Sequence, residues 1–517
     1  MFKLQQPSAA ATLCALITIA VFGAIFVING DAVFPTDDAF INLHNAQVLR
    51  LGRDDSYQGV PALVGATSGL HLALLVALEH VFYSDAVALF VLGALAGLAY
   101  VLGIFYASVN VGCSRTDSAF IALSGLMLAG ALFQLVNGMD TGLAMAAVAW
   151  NIKLLTDKPR TIWLSLLCGM MPFVRPELSF LSAGSMLILL SSKNTSPRFK
   201  LLSAATAVAI TTPFLLWYWI DTGSVVPSTV GAKMYFFAER YDNWAKKLQL
   251  GLTAISYAAV ASFPLFLCVR YIRPRPIGVL LAAFALVFLG SYFWSFPGGL
   301  LQNEGRYLYI FSPIVLFGVA CSLSSPFRRQ GLRLAAVSVL FFPIAFTVQY
   351  LDYRARITGD RESLADLTKW IESNFPERPT IMIHDAGYIA YRGHMPLVDL
   401  VGLKTPSAIE FHKRLTYQSA GELRPSAVAK IAEKFAPKYL VVLQDWDDKF
   451  AIVNGLLANG FSLREVYVGR ASPGTPETNL YHLYELKMPE GHVPTAAARG
   501  RAENTEEVRS LLRFDPT

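Results

Sequence analysis

The side chains best suited to chemistry in this sequence lie at the ends of long apolar runs. Asp37 and Asp38 form an adjacent pair of carboxylates, and Lys233 and Arg306 are two cations at similar boundaries. A positioned carboxylate can take a proton, and a cation can hold an anion. Charged groups at such boundaries are functional candidates because removing them from water is costly. Five further candidates have the same placement: His44, Asp140, Arg175, Glu177 and Glu304.

Composition indicates which solvent surrounds these side chains. The chain has 517 residues, of which 54% are hydrophobic and only 15% are charged, whereas soluble domains carry about 25% charged residues. The deficit is confined to residues 1–352, and residues 353–517 have an ordinary soluble composition. The sequence therefore predicts a polytopic α-helical membrane domain followed by a soluble domain.

Eleven apolar runs are candidate membrane spans, since a crossing needs about 20 apolar residues. The runs at 161–174 and 178–192 are short for two crossings, and one long broken helix is the alternative. The first run follows Lys3 and lacks a small-residue cleavage site, so it is predicted to be a retained span rather than a signal peptide. The runs are 9–28, 86–108, 118–136, 139–155, 161–174, 178–192, 199–220, 249–270, 277–296, 307–325 and 333–351.

Basic residues predict the orientation of these spans. Lys and Arg cluster in alternate loops, which places those loops and the N-terminus in the cytoplasm. All nine candidate side chains then lie on the extracytoplasmic face, as does the soluble domain. Residues 68–83 are apolar but contain two histidines and a glutamate, so they are predicted to form an interfacial helix within the outer loop 30–85.

The soluble region alternates strand-like and helix-like segments and is predicted to be a small α/β domain over 353–487. The predicted strands are 380–384, 397–401, 439–443, 463–468 and 480–486, and the predicted helices are 361–375, 425–435 and 449–459. Residues 488–517 are polar and without pattern, which indicates a disordered tail. The five cysteines show neither a disulfide framework nor a metal-ligand spacing. The basic clusters are short and lie between apolar runs, so they do not indicate nucleic-acid binding.

An ordered set of short motifs resembles the GT-C superfamily of membrane glycosyltransferases. Within it, the set is similar to the terminal arabinofuranosyltransferases of bacterial cell-wall assembly. The sequence departs from that pattern at Asp140, where Glu is more usual, and in the loop 42–66. The motifs are TDDAFI (36–41), ATS (66–68), NGMDT (137–141), VRPE (174–177), GSVVPSTVGAK (223–233), GRY (305–307), HDAGYIAY (384–391) and VDLVGL (398–403).

The resemblance implies an inverting transfer at the outer face of a bacterial inner membrane. A polyprenyl-phosphate sugar, with arabinofuranose or mannose as candidates, would be the donor, and a cell-envelope glycan, lipid or protein would be the acceptor. Asp37 or Asp38 would be the general base, and Lys233 and Arg306 would hold the donor phosphate. No metal is assigned, and a divalent cation at the aspartate pair is an alternative.

Each assignment has a structural alternative. The aspartate pair could cap a helix, Lys233 and Arg306 could be interfacial anchors, and Arg175 could pair with Glu177 around a helix break. His44 could be a local hydrogen-bonding residue. The alternative class of function is a transporter or flippase for a lipid-linked envelope precursor. Transporters usually place charges near the bilayer midplane in repeated halves, whereas these charges cluster at one rim.

Overall fold

The computed structural model describes residues 8–82, 84–157, 161–193, 195–262 and 264–489. The chain divides into two compact units. The first unit comprises the described residues within 1–33, 81–213 and 248–351, and the second comprises those within 34–80, 214–247 and 352–517. From residue 490 onward, the tail predicted for 488–517 lies outside the described residues.

Every predicted span is helical, although several are interrupted. Short 3₁₀ segments cover Glu239–Tyr241, Leu265–Tyr271 and Pro297–Leu301. In chain order the α-helices are α1 (Ala9–Asn29), α2 (Asp37–Leu51), α3 (Gly69–Glu79), α4 (Asp85–Asn110), α5 (Arg115–Met127), α6 (Ala131–Val136), α7 (Thr141–Thr156), α8 (Trp163–Val174), α9 (Leu178–Ser191), α10 (Pro197–Thr222), α11 (Ser228–Phe237), α12 (Trp244–Ser262), α13 (Arg275–Ser295), α14 (Gln302–Tyr309), α15 (Ser312–Leu323) and α16 (Arg328–Arg356).

Among the described residues, five helices are long and apolar enough to cross a membrane, or seven if each of two bent pairs counts as one span. The remaining predicted spans are shorter or divided. α8 and α9 pack against each other, and Ser182 donates a hydrogen bond of 2.7 Å to the carbonyl of Cys168. These two helices therefore form a hairpin rather than one broken helix, and its turn contains Arg175 and Glu177.

The C-terminal part of the second unit is the predicted α/β domain. Its five-stranded sheet has the order β2-β1-β3-β5-β4, in which β1 is parallel to β2 and β3, and β5 is antiparallel to β3 and β4. π-helical turns cover Ile357–Arg361 and His412–Tyr417. The elements are α17 (Glu362–Asn374), β1 (Ile381–Ile383), α18 (Tyr388–Gly393), β2 (Leu397–Asp399), α19 (Pro406–Phe411), α20 (Arg424–Phe435), β3 (Tyr439–Leu443), α21 (Gln444–Phe450), α22 (Ile452–Ala458), β4 (Ser462–Val468) and β5 (Tyr481–Lys487).

All five predicted strands are confirmed. The predicted helix at 449–459 is divided into α21 and α22 at Ala451, which has a φ of 49°. Strands β1 and β3 are buried throughout because they lie inside the sheet, whereas the edge strand β4 has three exposed and four half-buried residues. Loops that leave the carboxyl ends of parallel strands are the usual place for functional groups, and the loop from β1 to α18 meets α2.

Candidate active site

Asp37 connects α2 to the loop that follows β1. Its two carboxylate oxygens accept the backbone N–H groups of Gly387 and Tyr388, each at 2.7 Å. A side chain at position 387 would meet the Asp37 carbonyl at 2.5 Å, so the approach needs glycine. Asp37 and Asp38 are the first residues of α2, and Thr36 occupies the N-cap position. Asp37 therefore binds another segment rather than capping its own helix.

A second carboxylate, Asp385, stands near Asp37. It accepts the hydroxyl of Tyr481 and contacts His384 Nδ1 at 3.1 Å. His384 Nε2 accepts the backbone N–H of Leu443 at 3.0 Å, so the other ring nitrogen, Nδ1, is the one that faces Asp385. Loss of water raises the pKa of Asp37 well above its usual range, and Asp385 adds to this, while the two backbone N–H groups oppose it.

His44 lies two turns along α2 inside a buried polar network. Its Nε2 contacts Asp54 at 3.3 Å, and the fully buried Lys404 donates to Asn45 at 2.7 Å and lies 3.8 Å from Asp54. Burial acts to raise the pKa of Asp54, but the bond to His44 and the charge of Lys404 prevail and lower it to about 2. This network fixes α2 and the following loop against the residues after β2.

Lys233 lies on α11, also in the second unit. The helix buries Thr229, Ala232, Tyr235 and Phe236, while Lys233 is half-buried on the flank of that face. Within the described part of the chain, Lys233 forms no hydrogen bond and no ion pair. The cation is therefore available to an anionic ligand.

Arg175 is the centre of a buried cluster in the first unit. It is 1% exposed, and its guanidinium donates to Asp140 at 2.8 Å and to Glu177 at 3.4 Å. It also lies 4.5 Å from the ring centre of Tyr307, and the hydroxyl of Tyr292 bonds to Glu177. Its nearer partner is thus Asp140, 35 residues earlier, rather than the Glu177 that its sequence position suggested.

Arg306 contacts the same tyrosine. Its guanidinium lies 4.8 Å from the ring centre of Tyr307, and it donates to Met139 Sδ at 3.3 Å. Asn303, Glu304 and Gly305, the three residues before Arg306, have φ values of 47°, 58° and 65°. Left-handed non-glycine residues cost of order 1–3 kcal/mol each and cluster at functional sites.

Five of the nine candidates (Asp140, Arg175, Glu177, Glu304 and Arg306) lie in the first unit, and the other four lie in the second.

The sequence did not single out several residues that complete these clusters. Tyr307 was visible in the GRY motif, but its place beside both arginines was not. Arg361 stacks 3.8 Å from the ring centre of Tyr388 and 4.6 Å from that of Phe40, and it follows the last apolar run without any motif. Among the described residues, no group of three or more His, Cys, Asp or Glu is placed to hold a metal ion.

Among the cavities formed by described residues, two lie in the first unit. One, of about 300 Å³, has mainly apolar walls, and Tyr257 at its edge donates to Glu304 at 3.4 Å. The other, of about 1160 Å³, is lined by residues such as Asn110, Asp157 and Arg273, and none of the nine candidates contributes to it. The smaller cavity is therefore the one that adjoins the strained turn before Arg306.

Comparisons with known proteins identify the fold. Residues 350–484 match a family described as a domain of unknown function, DUF8728. No curated protein sequence matches the chain. The crystal structure of ArnT from Cupriavidus metallidurans bound to undecaprenyl phosphate is similar with a TM-score of 0.51 and 14% identity, covering 91% of this chain and 97% of that chain.

Two further solved structures are similar at lower scores. Arabinofuranosyltransferase AftD from Mycobacteria has a TM-score of 0.47 and 16% identity, covering 92% of this chain but only 41% of that chain. The Archaeoglobus fulgidus oligosaccharyltransferase has a TM-score of 0.44 and 13% identity, covering 96% of this chain and 76% of that chain. The likeness to ArnT over nearly both full lengths shows that this chain shares the fold of that structure, which agrees with the predicted GT-C-like architecture.

Proposed function

We propose that this protein is an inverting glycosyltransferase of the extracytoplasmic face. It moves a sugar, with arabinofuranose and mannose as candidates, from a polyprenyl-phosphate donor to a cell-envelope glycan, lipid or protein. The observation that carries this proposal is the fold shared with ArnT over 91% of the chain, because that structure contains undecaprenyl phosphate. The charged residues at the helix ends supply the chemistry such a donor requires.

Asp38 is the general base in this proposal, and Asp37 is its support. Both oxygens of Asp37 already bind backbone N–H groups at 2.7 Å, which suits it to fixing the start of α2. Asp38 takes the proton of the acceptor hydroxyl, whose oxygen attacks the anomeric carbon. The bond from that carbon to the phosphate oxygen breaks, and the polyprenyl phosphate leaves with the electron pair.

Lys233 and Arg306 hold the donor phosphate in this proposal and balance the charge that develops on it. The apolar cavity of about 300 Å³ is suited to part of the prenyl chain. Asp140, Glu177 and Arg175 support the cluster around Tyr307. No divalent cation is assigned to these steps.

The proposal includes a topology. Residues 1–352 form the catalytic membrane domain with eleven crossings and a cytoplasmic N-terminus in the bacterial inner membrane. Residues 353–487 form an extracytoplasmic domain, and the loop 30–85 carries the interfacial helix α3. The alternation of basic clusters between apolar runs supports this orientation.

Turnover of polyprenyl-phosphate sugars by the purified protein in lipid nanodiscs tests the proposed roles. We expect Asp38→Asn to lose about 100- to 10,000-fold in rate while still binding donor, as removal of a general base does. Asp37→Asn turns an amide NH₂ group toward one of the backbone N–H groups of Gly387 and Tyr388. We therefore expect this variant to have lower thermal stability and to lose less rate than Asp38→Asn. Asp31→Asn, an exposed position after α1, is the control. Near-normal turnover in Asp38→Asn rejects its role as base.

A further inference from the structure

The C-terminal end of α11 inserts into an aromatic pocket of the α/β domain, formed by His412, Trp446 and Phe450. The ring of Phe236 lies 5.1, 5.7 and 5.2 Å from the three ring centres, respectively, and Phe236 is fully buried. Ring pairs at such distances contribute beyond the area that they bury. The last turn of α11 is therefore attached to the domain by its side chain.

Arg424 attaches the same turn through its backbone. Its Nε donates to the carbonyl of Phe236 at 2.9 Å, and its Nη2 donates to the carbonyl of Phe237 at 3.1 Å. These carbonyls belong to the last turn of the helix, where no intrahelical donor remains. The guanidinium also lies 5.2 Å from the ring centre of Phe236 and 4.9 Å from that of Phe450. A cation at this end also suits the helix dipole.

Further contacts hold both ends of α11. Tyr235 packs on Tyr417 with ring centres 5.0 Å apart, and Arg240, just after the helix, donates to the Tyr417 hydroxyl at 2.9 Å. At the other end, Thr67 in the loop before α3 donates to Thr229 at 3.1 Å. The helix is thus held at both ends by other segments of the second unit.

Lys233 lies three residues before Phe236 and hence one turn away on the same side of the helix. We propose that Arg424 is a positioning residue that sets Lys233 for the donor phosphate, and that holding α11 is a function of the domain matched at residues 350–484. This inference rests on the proposed phosphate-binding role of Lys233. The two hydrogen bonds from Arg424 fix the position of the last helical turn along the helix axis and its rotation about that axis. They thereby fix the position of the Lys233 Cα atom, from which the side chain extends.

A merely stabilising Arg424 would have a different signature. Its replacement would lower thermal stability without changing the Michaelis constant for the donor. Any effect that this replacement had on the rate would multiply with the effect of a second mutation. If Arg424 acts through Lys233, its replacement has no further effect on the Michaelis constant once Lys233 is absent. The effects of two mutations are not additive when one residue acts through the other.

The test is a double-mutant cycle of Lys233→Ala and Arg424→Ala in lipid nanodiscs, read by the donor Michaelis constant, kcat, the thermal midpoint and binding of undecaprenyl phosphate. We expect each single change to raise the Michaelis constant about tenfold, with a smaller effect on kcat, and the double variant to resemble Lys233→Ala. Arg424→Lys should fall short of wild type, because one ammonium does not reproduce the planar fork. Lys430→Ala is the control, since this exposed residue of α20 pairs only with Glu433 among the described contacts.

The possible results separate the two proposals. If Lys233→Ala raises the Michaelis constant but Arg424→Ala does not, or if their effects multiply, the positioning role of Arg424 is wrong and the phosphate role of Lys233 stands. If Lys233→Ala leaves both the Michaelis constant and undecaprenyl phosphate binding unchanged, the phosphate role fails, and the positioning role fails with it.

Discussion

Replacement of Arg175 by Met leaves the buried Asp140 and the partly buried Glu177 without their cation. Arg175 is 1% exposed, so water does not take its place, and Asp140 and Glu177 lose bonds of 2.8 and 3.4 Å. Removing one partner from a buried ion pair typically costs about 3–5 kcal/mol, because the remaining charge is uncompensated. We therefore expect Arg175→Met to lower the free energy of unfolding by about that amount.

Thermal unfolding in detergent, followed by tryptophan fluorescence, measures this effect. Arg329→Met, which removes an exposed arginine of the same unit, is the control and should leave the midpoint unchanged. Neutralising the partners as well, in Arg175→Met/Asp140→Asn/Glu177→Gln, should recover most of the loss, since replacing a whole buried ion group is often nearly neutral. A triple variant less stable than Arg175→Met would refute the explanation by unpaired charge.

Three further predictions follow from the second unit and the topology. Burial lowers the pKa of His412 to about 4. Between pH 6.5 and 4 the unfolded chain therefore binds more protons than the folded protein does. As the pH falls through this range, the free energy of unfolding decreases by roughly 3 kcal/mol. His412→Gln should weaken that pH dependence in unfolding titrations, and an unchanged dependence would contradict it. Gly387→Ala should destabilise the protein by about 1–3 kcal/mol in thermal unfolding, because its methyl group meets the Asp37 carbonyl; a wild-type midpoint would refute this. All five native cysteines are buried, so an added cysteine can be labelled selectively. On intact cells, a membrane-impermeant thiol reagent should label Thr478→Cys, on the proposed extracytoplasmic side, but not Thr116→Cys, on the proposed cytoplasmic side. The reverse pattern would overturn the proposed orientation.

The helices and strands were predictable because their signals are local. A long apolar run forms a helix in a membrane whatever its neighbours are, and each of the eleven runs is helical. The strands β1 and β3 were visible as short runs of apolar residues before turn residues. Helix α2 was not predicted as a helix, because it mixes apolar residues with His44 and Asn45, which are buried only through the distant Lys404.

The arrangement of the site depends on contacts that sequence spacing does not reveal. Asp37 binds backbone groups 350 and 351 residues later, and backbone donors leave no signature in the sequence. Arg175 prefers Asp140 to its neighbour Glu177 because the start of α7 lies beside the α8–α9 turn. Motifs therefore predicted the candidate residues but not the backbone groups that Asp37 binds.

Product analysis tests the glycosyltransferase proposal most directly. The protein in nanodiscs is incubated with polyprenyl-phosphate sugars carrying a labelled sugar and with cell-envelope acceptors, and both the released polyprenyl phosphate and the anomeric configuration are measured. We expect one polyprenyl phosphate for each new glycosidic bond, inversion at the anomeric carbon, and loss of both products in Asp38→Asn. If no donor is cleaved, while the protein in liposomes moves intact lipid-linked sugar between the leaflets, the chain is a transporter with a GT-C fold and the central claim is wrong.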